Sequence, residues 1–134
     1  MMPKPTVFIS YSYTDWDQVS LILEALDQRN MQYWSDQRIP MGEEWQKQIK
    51  EAIESADVFI LMVSPGFASS NYAMYETGQA VGISQVTGAR IISVLIKEGP
   101  LPSVLNRYQI LDARNLSPED TAAKIEKVIK HTYV

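Results

Sequence analysis

Apolar residues in this chain alternate between two kinds of pattern: short, nearly unbroken runs, and longer stretches in which they recur every three or four positions. Thr6 to Ser10 is a β-branched and aromatic run after two prolines, which predicts a first strand. From Asp15 to Asn30, Trp16, Val19, Leu23 and Leu26 mark one buried face of a helix. Met31 to Trp34 predicts a second, shorter strand, and Ser35 to Glu44 a polar loop holding Pro40 and Gly42. Trp45, Ile49, Ile53 and Ala56 return to helical spacing. Val58 to Val63 is apolar throughout, the mark of a central strand covered on both faces.

Ser64-Pro65-Gly66 breaks that strand, and a short loop leads to a helix predicted from Tyr72 to Gln85. Gly78 and Gly82 fall on one face of it, where close packing against a neighbour would explain them. Ile91 to Ile96 is a fourth strand, Gly99 to Pro102 interrupts regular structure, and Tyr108 to Leu111 is a weak fifth strand. Ser117-Pro118-Glu119-Asp120 opens the last helix with a cap, a proline in the first position and acids at the positive end of the dipole. Ala122, Ile125, Val128 and Ile129 form its packing face.

Strands alternating with helices through short loops imply a parallel sheet with right-handed crossovers and helices on both faces. The expected architecture is a flavodoxin-like three-layer α/β sandwich whose five parallel strands run in the order 2-1-3-4-5. Ligands in such sheets bind beyond the carboxyl ends of the strands where the winding reverses, here between the first and third strands. Ser10 to Tyr13, the loop after Trp34, and the stretch from Ser64 to Glu76 converge there. Glu76 stands out because a carboxylate among small and aromatic residues beside a buried strand has few structural uses.

The chain has 134 residues, 46% of them hydrophobic, which suits a single domain over residues 1–134. Twelve basic against 16 acidic side chains give a formal charge of -4, so nucleic acid and anionic lipid are not expected partners. With no cysteine and one histidine, His131, metal chemistry would rest on carboxylates alone, and no metal site is expected. No apolar run reaches the roughly 20 residues of a membrane span, and Met1 to Pro5 is too short and polar for a signal peptide, so a cytoplasmic location without membrane insertion is expected. The six glycines form neither G-x-x-x-x-G-K-[ST] nor G-x-G-x-x-G, and Val63-Ser64-Pro65-Gly66 is not a nucleophile elbow. A phosphate receiver would need acids at strand ends occupied by Ser10 and Ser64.

Taken together these segments resemble the Toll/interleukin-1 receptor/resistance (TIR) domain family from Val7 to about Ile129. Val7-Phe8-Ile9-Ser10-Tyr11-Ser12 with Asp15 is similar to the family's first box, and Trp34-Ser35-Asp36 through Ile39, Gly42, Glu43 and Trp45 to its second-strand loop. Val63-Ser64, Phe67, Ser70, Tyr72 and Glu76 are similar to the segment that ends in the family's catalytic glutamate. Tyr72 departs from the Trp or Cys of many members. The resemblance implies one of two roles, and many enzymatic members combine them. One is an enzyme of the prokaryotic type that cleaves the nicotinamide-ribose bond of NAD+ in immune, antiphage or cell-death signalling. The other is a non-catalytic adaptor that works by TIR-TIR self-association. On either reading the 35–44 loop is long enough to reach a neighbouring copy, making homotypic assembly the expected partnership.

A single carboxylate suffices for that chemistry. Glycoside hydrolysis ordinarily uses two carboxyl groups, but the nicotinamide of NAD+ is already cationic and leaves as a neutral ring. Glu76 at about 4 Å from the developing ribosyl cation, at an effective dielectric of about 20, interacts by roughly 4 kcal/mol. Were all of that confined to the transition state, it would give on the order of a thousandfold in rate, an upper bound because the ground-state ribose feels part of it. Tyr72, one turn earlier, presents its ring on the same face, with Tyr11 or Trp45 as a second stacking plane for a base. Arg38 is the candidate partner of the pyrophosphate by bidentate hydrogen bonds. Asp36 is suited to bonding loop amides, and Ser10, Ser12 and Ser64 are small donors at strand ends. NAD+ enters as substrate and no cofactor is expected. Water capture of the cation gives ADP-ribose; capture by a group of the same molecule gives a cyclic ADP-ribose isomer. A nucleoside-processing transferase of similar topology is a third alternative.

Overall fold

The computed structural model describes residues 5–35 and 44–133, of which residues 45 and 131–133 are described by backbone alone. Four parallel strands, β1 (Val7–Ser10), β2 (Val58–Val63), β3 (Arg90–Leu95) and β4 (Gln109–Asp112), form one sheet in the order β1-β2-β3-β4. The longest ladder joins the two central strands from Val58 beside Arg90 to Val63 beside Leu95. Every side chain of β2 is buried, as an unbroken apolar run dictates for a strand with a helical layer on each face.

The segment expected as a second strand is reduced, among the described residues, to one parallel bridge between Trp34 and Phe8. Trp34 donates its N–H to Val7 O and accepts from Ile9 N–H, each at 2.8 Å. The bridge lies beside β1, so the order expected of the flavodoxin-like sheet holds while its second member is, among the described residues, one residue long. The reason is the end of helix α1 (Trp16–Gln28): the N–H groups of Arg29, Asn30 and Met31 all turn back to Leu26 or Asp27 carbonyls, and Asn30 adopts φ +60. The chain is released for sheet pairing only a few residues before Ser35.

Two cores sandwich the sheet. On one face, α1 buries Val19, Ile22, Leu23 and Leu26 against Ile9, Ile60, Ile92 and Val94, together with Ala122, Ile125 and Ile129 of α5 (Pro118–Tyr133). On the other, Ile49, Ala52 and Ile53 of α2 (Trp45–Ser55) meet Phe8, Phe59, Leu61 and Val63. Phe67 of the short helix α3 (Pro65–Ser69) and Ala73 and Ala80 of α4 (Asn71–Thr87) complete that layer. Asp120 N–H bonds to Ser117 Oγ at 3.0 Å, the cap expected for α5.

Two sequence expectations need correction. The stretch after Ser64 is α3 rather than a loop, capped by Ser64 and started by Pro65. Gly78 and Gly82 do not mark close packing, because a Cβ added at either would meet nothing within 4 Å.

Candidate active site

β1 ends at Ser10 and β2 runs straight into Ser64, so both hydroxyls arrive at the carboxyl edge of adjacent parallel strands. Ser64 caps α3 through a bond from Phe67 N–H at 2.9 Å, and Ser70 then closes α3 and caps α4, accepting from Ala73 N–H at 3.1 Å. With no linker between the two helices, the rotational setting of α4 is fixed from its first residue. That setting turns Ala73, Glu76, Thr77 and Ala80 inward.

Glu76 is only 3% exposed, and Ser10 Oγ donates to its Oε1 at 2.6 Å in a buried bond spanning 66 residues of sequence. A carboxylate that deep in the protein requires donors, and a short hydroxyl-to-carboxylate bond is among the stronger kinds. Tyr72 lies four residues earlier on α4 and is 39% exposed.

The remaining residues expected here are distributed differently. Tyr11 is buried in the α1 and α5 core, its ring stacked on Trp16 at 5.8 Å between centroids, so that plane is occupied by a protein neighbour. Ser12 caps a one-turn 3-10 helix (Tyr13–Asp15), accepting from Thr14 N–H at 3.3 Å and sharing a 2.8 Å bond with Thr14 Oγ1. Ser64 Oγ donates to Asp15 Oδ2. Of the three serines, Ser10 is the one bonded to Glu76. Asp36, Arg38 and the rest of the loop from 36 to 43, together with the side chain of Trp45, fall outside the described residues.

A second polar group occupies the same edge, and the sequence pattern does not point to it. Asp15 is buried, and Lys97 Nζ, just past β3, reaches its Oδ1 at 2.8 Å while its own side chain stays 49% exposed. Asp15 is visible in sequence only as part of the first box; its partners lie 49 and 82 residues away. Elsewhere, a groove of about 940 Å³ opens at the amino end of β1 among Arg29, Trp34, Glu126 and Lys130, and a smaller one of about 300 Å³ lies between α4 and Val104 to Tyr108. Glu76 lines neither. No helix among the described residues is long and apolar enough to cross a membrane.

The family model described as "TIR domain" matches residues 7–129, nearly the whole chain. The chain belongs to the TIR domain family. Among curated proteins, this TIR chain is 36% identical over 72 residues to the uncharacterized protein y4lF of Sinorhizobium fredii, covering 51% of this chain and 22% of that protein. It is 29% identical over 97 residues to the 2' cyclic ADP-D-ribose synthase BtTIR of Bacteroides thetaiotaomicron, covering 68% and 33%. The matches thus span about a fifth to a third of those relatives' lengths. Among solved structures, the TIR domain of the Toll-related receptor TRR-2 from Hydra magnipapillata superposes with a TM-score of 0.74 at 20% identity, over 92% of this chain and 97% of that one. The RPS4 and RRS1 TIR domain heterodimer gives 0.66 at 16% identity, over 98% and 99%. At such identities the structural likeness establishes the shared fold.

Proposed function

We propose that this TIR domain cleaves the nicotinamide-ribose bond of NAD+, with Glu76 as the catalytic carboxylate. The observation that carries the proposal is the buried Glu76 side chain bonded to Ser10 at the carboxyl edge of the sheet, the position where open α/β sheets bind ligands. Similarity to a protein named as a 2' cyclic ADP-D-ribose synthase supports the same reading.

As the C1'–N bond breaks, its electron pair returns to the pyridinium nitrogen, nicotinamide departs neutral, and positive charge appears on the ribose. Glu76 is suited to stabilise that charge and to accept a ribose hydroxyl, while Ser10 keeps the carboxylate oriented. Water attack followed by proton loss to solvent yields ADP-ribose, and attack by a hydroxyl of the same molecule with the same proton loss yields a cyclic isomer. Tyr72 is the proposed stacking surface, Arg38 the proposed pyrophosphate contact, and the 35–44 loop the proposed contact between copies, so activity per molecule is expected to rise with concentration. Intracellular immune-type signalling is the setting this reading proposes.

The test is nicotinamide release from NAD+ by concentrated purified protein, followed by chromatography. Turnover in the wild type and its loss in Glu76→Gln, which keeps the shape and the bond from Ser10, support the proposal. Absence of release, or equal release from the variant, overturns it. One observation favours a second reading, a non-catalytic assembly module: burial together with a protein partner is also how a purely structural carboxylate is held. That reading predicts no NAD+ turnover at any concentration and a lower melting temperature in Glu76→Gln.

A further inference from the structure

We propose that Asp15 is a positioning residue for Glu76, acting through a clasp at the sheet edge. The inference rests on the NAD+-cleaving reading. Asp15 accepts from Ser64 Oγ and from Lys97 Nζ, the latter at 2.8 Å, and so ties together the segment after β1, the end of β2 and the end of β3. Its buried carboxylate has a half-exposed counter-charge, which keeps the pair from being a sealed ion pair of uncertain value.

The clasp bears on Glu76 from two directions. Ser10, the donor to Glu76, stands two residues before Ser12, whose hydroxyl and carbonyl hold the turn that presents Asp15. Ser64, the donor to Asp15, caps α3, and α3 passes through Ser70 directly into α4, the helix that carries Glu76. Asp15 therefore joins the element that supplies the donor to the element that supplies the acceptor.

Gly66 shows how tightly the two are pressed together. A Cβ there would collide with Thr14 Oγ1 and lie 3.4 Å from Asp15 Oδ2 and from Ser12 Oγ. Gly66 does not adopt a left-handed backbone angle, so the requirement is one of space alone. A single methyl inserted at this point is a wedge in the clasp.

The experiment uses the whole chain in three variants, Asp15→Asn, Gly66→Ala and the double variant Gly66→Ala with Thr14→Ala, the last removing the hydroxyl that the new methyl would strike. Three readouts are taken: kcat and KM for NAD+, melting temperature, and the NMR resonances of the Ser10 amide and the Glu76 side-chain carboxyl carbon. A misplacement of about 1 Å costs on the order of a hundredfold in rate. Accordingly kcat is expected to fall by about that factor in Asp15→Asn and Gly66→Ala with KM within about twofold, both resonances to move, and the double variant to regain most of the loss. A purely structural role would lower the melting temperature without a separate effect on kcat and without rescue by making room. Unchanged kcat, or unmoved Ser10 and Glu76 resonances in folded Asp15→Asn, overturns the proposal. Should the wild type fail to cleave NAD+, the function reading fails by itself and the resonances alone decide the clasp: shifted, it stands as a structural coupling; unshifted, it falls.

Discussion

Replacing Ser10 by alanine deletes one hydroxyl and, with it, the 2.6 Å bond to Glu76 Oε1. Both side chains are buried, so water does not readily take the place of the lost donor. A hydrogen bond to a charged group contributes about 1.5–3 kcal/mol net to stability. At roughly 4 °C per kcal/mol for a chain of this size, Ser10→Ala is expected to lower the melting temperature by about 6–12 °C. In a Glu76→Gln background the same bond is neutral and worth only about 1 kcal/mol, so Ser10→Ala should cost less there. Urea denaturation of the four proteins in this cycle measures the difference directly, and a coupling of about 1 kcal/mol or slightly more is the expected value. A cost for Ser10→Ala below about 0.5 kcal/mol, the ordinary range of an inconsequential substitution, would refute the bond's energetic role. So would equal costs in the two backgrounds, which would show that the partner's charge is immaterial.

Gly78→Ala and Gly82→Ala should each stabilise the protein by about 0.5–1 kcal/mol in the same denaturation assay, since both lie inside α4 with open space where the methyl would go. Gly66→Ala, by contrast, destabilises. Asp112, bonded to the Arg114 side chain and backbone, is held down to about 2 from its ordinary 3.8. Because the folded value is the lower one, the stability this bond contributes is complete above pH about 4 and is lost as pH falls through about 2. Arg114→Gln should return the Asp112 titration, followed by carboxyl NMR, toward 3.8.

How much of the fold and site is legible in the residues alone differs from element to element for physical reasons. β2 announces itself because a strand buried on both faces is apolar at every position, and β3 does so nearly as well, its Ile91-Ile92 and Val94-Leu95 interrupted only by the buried Ser93. α3 is hidden although Ser64 followed by Pro65 carries the same cap-and-proline signature that locates α5 at Ser117 and Pro118. The glycine after the proline outweighs it, and the cause of that glycine is space for Thr14, a contact between segments far apart in sequence. The strand expected at Met31 to Trp34 is too long because local residue preference contains no information about how far the end of α1 unwinds. Glu76 can be singled out from its neighbours in sequence and from the family resemblance. The Asp15 cluster cannot, since its acceptor and donors are brought together only by three separate strand ends.

Ser70 serves as the C-cap of one helix and the N-cap of the next, and that economy has a geometric consequence. An α-helix turns about 100° and climbs about 1.5 Å with each residue. One residue gained or lost between Ser70 and Glu76 would swing the carboxylate about a quarter of the way round its axis, out of the protein interior and toward bulk water. Composition in this stretch can drift, but its residue count cannot: the distance along the chain from joint to acid acts as a fixed gauge, and a chain of this kind should vary its length anywhere else first.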